Sequence, residues 1–318
     1  MPRADRGLRV WPVRYLSAGN RLSMSDPIPT RPAAPPGPAM RSAPAVQMTG
    51  HARAWSRAAF MAALADLCDG ARNWRLSALL GWSELRRRYR RSLLGPFWIT
   101  LSMAFFILLV GGVFSQLSGS SMREFMPYIA TGYATWLLLS SFITDGCMVF
   151  IGSLRFLRQM RLPKTTFVLA SVWRDLLVFA HNLPVVLLIF ALAGVRPTAW
   201  TLMLIPAFLA TAAAGLILAL VLGMIAARFR DLIPIVSSVL QLLFFLTPVL
   251  YQPARLGRAG QLLAFNPATH FVEIMRSAFL GEAPSAASWL AVLGMLAVGA
   301  VGGFLLFARF RARITYWV

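Results

Sequence analysis

Long uninterrupted runs of apolar residues are the feature of this sequence that most restricts its fold. They recur six times, at residues 97–117, 126–152, 166–192, 199–227, 232–250 and 287–308. A helix needs about 20 apolar residues to cross the hydrocarbon core of a bilayer, and each run is close to or above that length. Charged residues make up only 13% of the chain, about half the fraction usual in soluble domains. The sequence therefore predicts an all-α integral membrane protein with six transmembrane helices.

One further apolar stretch, residues 262–280, differs from these six. Polar and helix-breaking residues interrupt it, namely Asn266, Pro267, His270, Glu273 and Arg276. Such a segment is too polar to face lipid, although broken backbone is tolerated at membrane depth where protein or water satisfies it. We expect a re-entrant helical segment before the last span.

Basic residues are concentrated on one side of this predicted topology. Most of the 31 Lys and Arg residues fall in 1–96 and in the short segments 153–165, 228–231 and 309–318. Cytoplasmic segments carry such an excess, so both ends of the chain are expected in the cytoplasm. The same rule accounts for the net charge of +20. A nucleic-acid partner is not expected, because the sequence has no zinc-finger or RNA-binding aromatic motif.

Three regions follow from this pattern. Residues 1–50, rich in Pro and Ala between 27 and 46, predict a disordered tail. Residues 51–96 predict a cytoplasmic or interfacial amphipathic segment, and 97–318 the six-span domain.

The segment from Trp74 to Leu94 has the pattern of an amphipathic helix lying in the membrane surface. Its predicted apolar stripe consists of Ala78, Trp82, Leu85, Tyr89 and Leu93. Its predicted contacts with lipid headgroups or a protein partner are Trp82, Arg86, Arg87, Arg88, Tyr89, Arg90 and Arg91. The alternative is a simple charge cluster that orients the first span.

The loop after the second span, residues 153–164, is too short for a domain and too apolar for a solvated loop. It predicts a short amphipathic helix that docks into a groove of a partner. The expected coupling residues are Leu154, Arg155, Phe156, Leu157, Arg158, Met160 and Arg161. An ordinary interfacial turn is the alternative.

Four ionisable residues lie within predicted spans: Asp145, Arg174, Asp175 and His181. Such groups are costly in lipid and usually face the bundle interior or a wet cavity. Arg174 and Asp175 are adjacent, so we expect them to point to different sides of a helix and to pair with other helices. Arg174 either makes structural ion pairs or lines a path for an anionic substrate.

Catalytic motifs are absent from the sequence. Lys164–Thr165 lacks the glycines of a phosphate-binding loop, since positions 158 and 163 hold Arg158 and Pro163. The two cysteines have no metal-ligand spacing. The chain is therefore predicted to be neither an enzyme nor a metal protein.

Three separated segments resemble one family in the same order. They are SELRRRYRRSLLGPFWITL at 83–101, ARFRDLIPIVSSVLQLLFFLTPVLY at 227–251 and LLAFNPATHFVEIMRSAFLG at 262–281. The chain resembles the membrane subunit of ABC-2-type exporters of polysaccharides and polyol phosphates, which include O-antigen, capsule and teichoic-acid permeases. The resemblance extends over about residues 72–313.

This resemblance implies a permease in the bacterial inner membrane that works as a homodimer with two copies of an ATP-binding cassette subunit. ATP and Mg would bind to that partner, and this chain would hold no cofactor. The dimer would enclose a channel for a lipid-linked glycan. In this family, residues 74–94 would form an interface helix at the lipid gate and 153–164 the coupling helix. Aromatic faces stack on sugar rings, so the substrate-path candidates are Phe244, Phe245 and Tyr251, together with Arg174.

Three alternatives remain at this point. A drug or lipid exporter permease of the same superfamily would have similar helices. An ion-coupled secondary transporter or lipid flippase would work without an ATPase and should carry more acidic residues within its spans. A membrane-bound transferase would need a polar catalytic cluster at an interface.

Overall fold

A computed structural model describes residues 56–90, 95, 97–119, 121–160, 162–253 and 257–318. Within this part of the chain the regular structure is helical and no strand forms. The predicted tail at 1–50 lies outside the described residues, as do Arg91, Leu93 and Arg161.

Twelve α-helices are described. In chain order they are α1 Arg57–Arg72, α2 Trp74–Tyr89, α3 Phe97–Ser118, α4 Met122–Gly152, α5 Leu154–Gln159, α6 Lys164–Ala193, α7 Leu204–Arg228, α8 Leu232–Leu246, α9 Arg258–Leu262, α10 Pro267–Leu280, α11 Ala286–Phe310 and α12 Ile314–Trp317. Short 3₁₀ turns precede α7, α10 and α12, at Ala199–Met203, Leu263–Phe265 and Arg311–Arg313.

Five helical segments among the described residues are long and apolar enough to cross a membrane. They are Phe97–Gln116, Met122–Gln159, Lys164–Ala193, Ala199–Arg228 and Ala286–Trp317. This confirms the predicted all-α integral membrane fold.

The predicted fifth span, residues 232–250, forms a shorter helix than expected. Helix α8 has 15 residues, about 22 Å at 1.5 Å per residue, compared with the roughly 30 Å of a hydrocarbon core. It ends because Thr247 precedes a proline. The residue before proline is pushed out of the α region, and Thr247 is extended, at φ −93° and ψ 136°. The apolar run therefore continues past the helix as a turn.

The centre of the bundle is α4, which packs against α6 and α7. Glycines bring α4 and α7 close together: a Cβ on Gly146 would lie 2.8 Å from the Cα of Ala219, and one on Gly215 would overlap the ring of Phe142. Helix α11 packs on the other side of α7, where Gly299 faces Ile217.

Helix α10 occupies the segment predicted to be re-entrant. Asn266 caps its start by accepting a hydrogen bond from the amide of Ala268, and Pro267 is its first residue. Gly281 ends it in the left-handed conformation, at φ 71°, which glycine adopts without steric cost. The helix packs against α4, α7 and α11 and so belongs to the bundle.

Candidate functional site

Helix α2, the predicted interface helix, packs on the bundle through a narrow face of small residues and one leucine. Its buried residues are Ser77, Gly81 and Leu85, and they pack against α6. A Cβ on Gly81 would collide with the carbonyl oxygen of Ala170, so glycine permits this close approach. Of the predicted apolar stripe, Leu85 is buried, whereas Trp82 is 47% exposed. The exposed Trp82 is free to contact lipid headgroups or a partner, and this contact stays a prediction.

The arginines of α2 lie on its open side. Arg86, Arg87, Arg88 and Arg90 are all exposed. Partial burial raises the pKa of the Tyr89 hydroxyl above its ordinary value, and the nearby charge of Arg88 opposes this. The exposed arginines give the C-terminal end of α2 a strongly basic edge.

Arg174 on α6 is the centre of a cluster of charged side chains. Its Nη1 lies 2.6 Å from Glu84 Oε2, and its Nη2 lies 2.8 Å from Asp145 Oδ2. Its Nη2 also lies 3.2 Å from Asp175 Oδ1. Arg88 reaches the same Asp145 oxygen at 3.7 Å. Helices α2, α4 and α6 are therefore joined by ion pairs at one point.

The expectation that Arg174 and Asp175 would not pair was wrong. A long arginine side chain can curl back along its own helix, and here it donates hydrogen bonds to its neighbour as well as across to α2 and α4. The sequence prediction had also missed Glu84 as the partner on α2. The sequence feature that could have indicated this role is that Glu84 is a single acidic residue next to a run of arginines.

A second polar cluster, centred on Asp66 of α1, was not predicted. The Asp66 side chain is 1% exposed and accepts a hydrogen bond from Arg311 Nε at 2.7 Å. It also accepts from the amide and the hydroxyl of Thr165, at 3.0 and 2.9 Å. Carboxylates stabilise the N-terminus of a helix, and α6 begins at Lys164, so Asp66 acts as its cap. Asp66 thereby joins α1, α6 and the end of α11.

The predicted coupling segment contains the helix α5, between α4 and α6. Leu154, Phe156 and Leu157 are half-buried, whereas Arg155, Arg158 and Met160 are exposed. Arg158 Nη2 donates to the main-chain oxygen of Val318 at 3.5 Å. The apolar side of α5 thus rests on the bundle and its basic side is open to a partner.

The aromatic substrate-path candidates lie together, away from Arg174. Phe244 packs among Phe106, Tyr133 and Trp136. Residues 133–136 and 145 of α4 are about 14–18 Å apart along the helix axis, so the aromatic cluster and the ion cluster are separate sites.

The other two aromatic candidates are at the end of α8. Phe245 is 68% exposed. The hydroxyl of Tyr251 donates to the main-chain oxygen of Phe245 at 3.0 Å, and the main-chain oxygen of Tyr251 accepts from Tyr128. These bonds hold the turn after α8 in place.

Arg276 of α10 anchors the same turn, although sequence reasoning assigned it no role. It is buried, donates to the oxygen of Pro248 at 2.7 Å and lies 3.7 Å from the ring centroid of Tyr128. Gly132 provides the space, since a Cβ there would overlap the guanidinium.

A polar stripe follows the exposed side of α8. It consists of Asp231, Pro234, Ser238, Gln241 and Phe245, at spacings of 3, 4, 3 and 4 residues, all exposed. This spacing places the five side chains on one face of the helix. Three of the five residues, Asp231, Ser238 and Gln241, are polar, and apart from Ser237 the rest of the helix is apolar. Sequence reasoning overlooked this pattern.

Comparisons with known proteins agree with this architecture. The family model described as ABC-2 type transporter matches residues 76–280. The O-antigen export system permease protein RfbA of Myxococcus xanthus is 30% identical over 188 residues, covering 58% of this chain and 72% of that protein. A Klebsiella pneumoniae protein of the same name is 22% identical over 201 residues, covering 62% of this chain and 77% of its own length. With a family match across most of its helices, the chain belongs to the ABC-2 type transporters and is a multi-pass membrane subunit of a transport system.

Proposed function

We propose that this chain is the permease subunit of an ATP-driven exporter that moves lipid-linked polysaccharide across the bacterial inner membrane. The relatives named as O-antigen export permeases support the polysaccharide class over the drug or lipid alternative. The basic edge at the C-terminal end of α2 supports an orientation with both termini in the cytoplasm.

The observation that carries this proposal is the polar stripe on α8. Polar side chains exposed to lipid are costly, so they usually face the bundle interior or a water-filled path. The hydroxyl of Ser238 donates to a carbonyl of its own helix, which leaves its oxygen lone pairs to accept from a sugar. Gln241 offers both donors and an acceptor. Phe245, at the end of the stripe, offers a ring face for stacking on a pyranose.

A stripe on one helix needs a second wall to form a closed path. The proposed wall is a second copy of the chain, which would form a homodimer around a shared channel. Helix α3 supports this arrangement, because it packs on α8 through Phe106 and Phe244 and leaves Trp98, Leu101 and Phe105 exposed. Two copies of an ATP-binding cassette subunit would complete the exporter.

Energy would reach the channel through α5. ATP, with Mg, would bind and be hydrolysed in the partner subunit. Closure of the partner dimer would push on α5, whose half-buried side rests on the bundle. Because the Arg174 and Asp66 clusters join α1 and α2 to α6, which follows α5, a shift of α5 would be passed to the interface helix.

The arginines of α2 would hold the pyrophosphate of the lipid carrier at the gate, since arginine makes paired hydrogen bonds to phosphate oxygens. Replacing Arg86, Arg87 and Arg88 with glutamate should reduce export while membrane insertion is retained. Unchanged export by a normally inserted variant would refute the gate role.

Deletion of the gene, with surface and intracellular glycan both quantified, tests the function as a whole. We expect loss of a surface polysaccharide and accumulation of its lipid-linked polymer inside the cell, both reversed by the wild-type gene. Normal surface glycan in a strain with no second exporter would refute the polysaccharide assignment and favour a drug or lipid substrate.

A further inference from the structure

A cleft between the ends of α7 and α11 is lined by both basic and apolar residues and takes no part in the proposed transport pathway. It has a volume of about 390 Å³, within the range of roughly 300–1,000 Å³ typical of small-molecule sites. Its lining residues are Val221, Met224, Ile225, Arg228, Phe229, Leu306, Phe310, Arg313 and Trp317. We propose that this cleft binds an anionic phospholipid of the surrounding membrane leaflet.

The two walls have the same order of residues along their helices. On α7, Val221 and Ile225 precede Arg228 at helical spacing, and on the other wall Leu306 and Phe310 precede Arg313. Each arginine therefore lies at the polar end of an apolar surface about 10 Å long. This arrangement matches a lipid whose phosphate lies at the membrane surface and whose acyl chains run inward.

Both arginines are available to a ligand. Within the described residues neither guanidinium has an ion pair or a hydrogen bond, and the lining set contains no carboxylate. Two cations that line one cleft and have no anionic partner among the described residues favour an anion, and phosphate accepts paired hydrogen bonds from guanidinium groups. Basic pockets between transmembrane helices are known to bind lipid headgroups.

Aromatic rings hold one of these arginines in position. The Cζ atom of Arg228 lies 5.6 Å from the ring centroid of Phe229 and 5.9 Å from that of Trp317. Trp317 in turn packs against Phe310, at 5.4 Å between ring centroids. Cation–π contacts leave the edge N–H groups free to donate, and tryptophan suits the membrane interface.

The cleft is separate from the proposed glycan path. None of its lining residues belongs to α2, α3 or α8. It does lie at the same end of the molecule as α5, because the main-chain oxygen of Val318, the residue after α12, accepts a hydrogen bond from Arg158 of α5. A bound lipid would therefore brace the C-terminal turn that supports α5, and its source is the bulk leaflet rather than the substrate.

Native mass spectrometry of the full chain, purified in mild detergent, tests this site. The probes are phosphatidylglycerol and phosphatidylcholine with identical acyl chains. We expect the wild type to bind phosphatidylglycerol more tightly. Each arginine near the surface contributes about fivefold in affinity, so the double variant Arg228→Gln, Arg313→Gln should lose about 25-fold for phosphatidylglycerol and little for phosphatidylcholine.

The matched control is Arg230→Gln, which removes one exposed positive charge that does not line the cleft and should leave binding unchanged. A second variant, Leu306→Trp, fills the apolar part without changing charge and should also weaken phosphatidylglycerol binding. Equal affinity of the wild type for the two lipids, or unchanged phosphatidylglycerol binding by the double variant, would overturn the proposal. A polyprenyl pyrophosphate serves as a third probe. If the double variant lost binding of this lipid and still bound phosphatidylglycerol, the cleft would be assigned to the substrate and the proposal would be overturned. No partner subunit or glycan is needed, so the result is independent of the proposed transport function.

Discussion

We expect the substitution Arg174→Gln to lower the stability of the protein substantially. The Arg174 side chain is only 15% exposed, and it contacts Glu84, Asp145 and Asp175 at 2.6, 2.8 and 3.2 Å. Glutamine is shorter and uncharged, so it would leave three carboxylates of α2, α4 and α6 facing one another without this cation. The repulsion would separate the helices that Arg174 now joins.

The expected loss in the free energy of unfolding follows from how deeply each of the three carboxylates is buried. Removing one member of a buried ion pair costs about 3–5 kcal/mol. Asp175 is 2% exposed and would bear that cost, whereas Glu84 and Asp145 are 30% and 26% exposed and retain contact with water. We therefore expect a loss of about 3–4 kcal/mol in the free energy of unfolding. At about 2–4 °C per kcal/mol for a domain of this size, Tm should fall by roughly 6–16 °C.

Thermal unfolding of the purified protein in detergent, followed by size-exclusion chromatography, measures this shift. The control Arg86→Gln removes an exposed arginine of α2 and should change Tm by about 1 °C or less. Adding Glu84→Gln to Arg174→Gln removes one of the stranded carboxylates and should recover about 1 kcal/mol.

The same experiment separates the two roles considered for Arg174. If the side chain is structural, export per folded molecule should stay near the wild-type value. A variant that keeps the wild-type Tm and loses export would refute the structural reasoning and assign Arg174 to the substrate.

Three further outcomes are expected. Gly146→Ala should lower the free energy of unfolding by about 1–3 kcal/mol, because the new Cβ would press on the backbone of Ala219. The control Gly294→Ala, whose Cβ would meet no atom within 4 Å, should be neutral or slightly stabilising in the same Tm assay. Asp66→Ala should cost about 2–4 kcal/mol in thermal unfolding by removing the buried acceptor at the start of α6, and the exposed Asp69→Ala should change it by about 0.5 kcal/mol or less. With Cys68 and Cys147 replaced by serine, Gln241→Cys should react with a membrane-impermeant thiol reagent in whole cells or inverted vesicles, and failure to react from either side would show that the stripe on α8 faces lipid.

Much of the fold could be predicted from the sequence, because lipid permits few structures. Without water to satisfy the backbone, apolar runs of this length become helices, and the long helices appear where the runs are. The length of α8 was the exception. Hydrophobicity alone continued the run to 250, whereas Pro248 forces Thr247 out of helical geometry and ends the helix.

The side-chain pairings could be predicted much less well. Which face of α2 is covered depends on the shape of α6, and Gly81 fits that surface where Trp82 does not. The pairing of Arg174 with Asp175 depends on side-chain rotamers, which residue spacing does not fix. Asp66 was missed because Thr165 is 99 residues away in sequence, so no local pattern relates the two.

The central claim is that this chain exports a lipid-linked polysaccharide with energy supplied by a separate ATP-binding subunit. Reconstitution of the purified chain with that subunit in liposomes containing the lipid-linked glycan tests it most directly, with glycan accessibility to an impermeant glycosidase as the readout. We predict that accessibility changes with ATP only when both subunits are present, and not when the partner is hydrolytically inactive. Movement of the glycan by this chain alone, or no movement of any lipid-linked glycan by the active complex, would contradict the account.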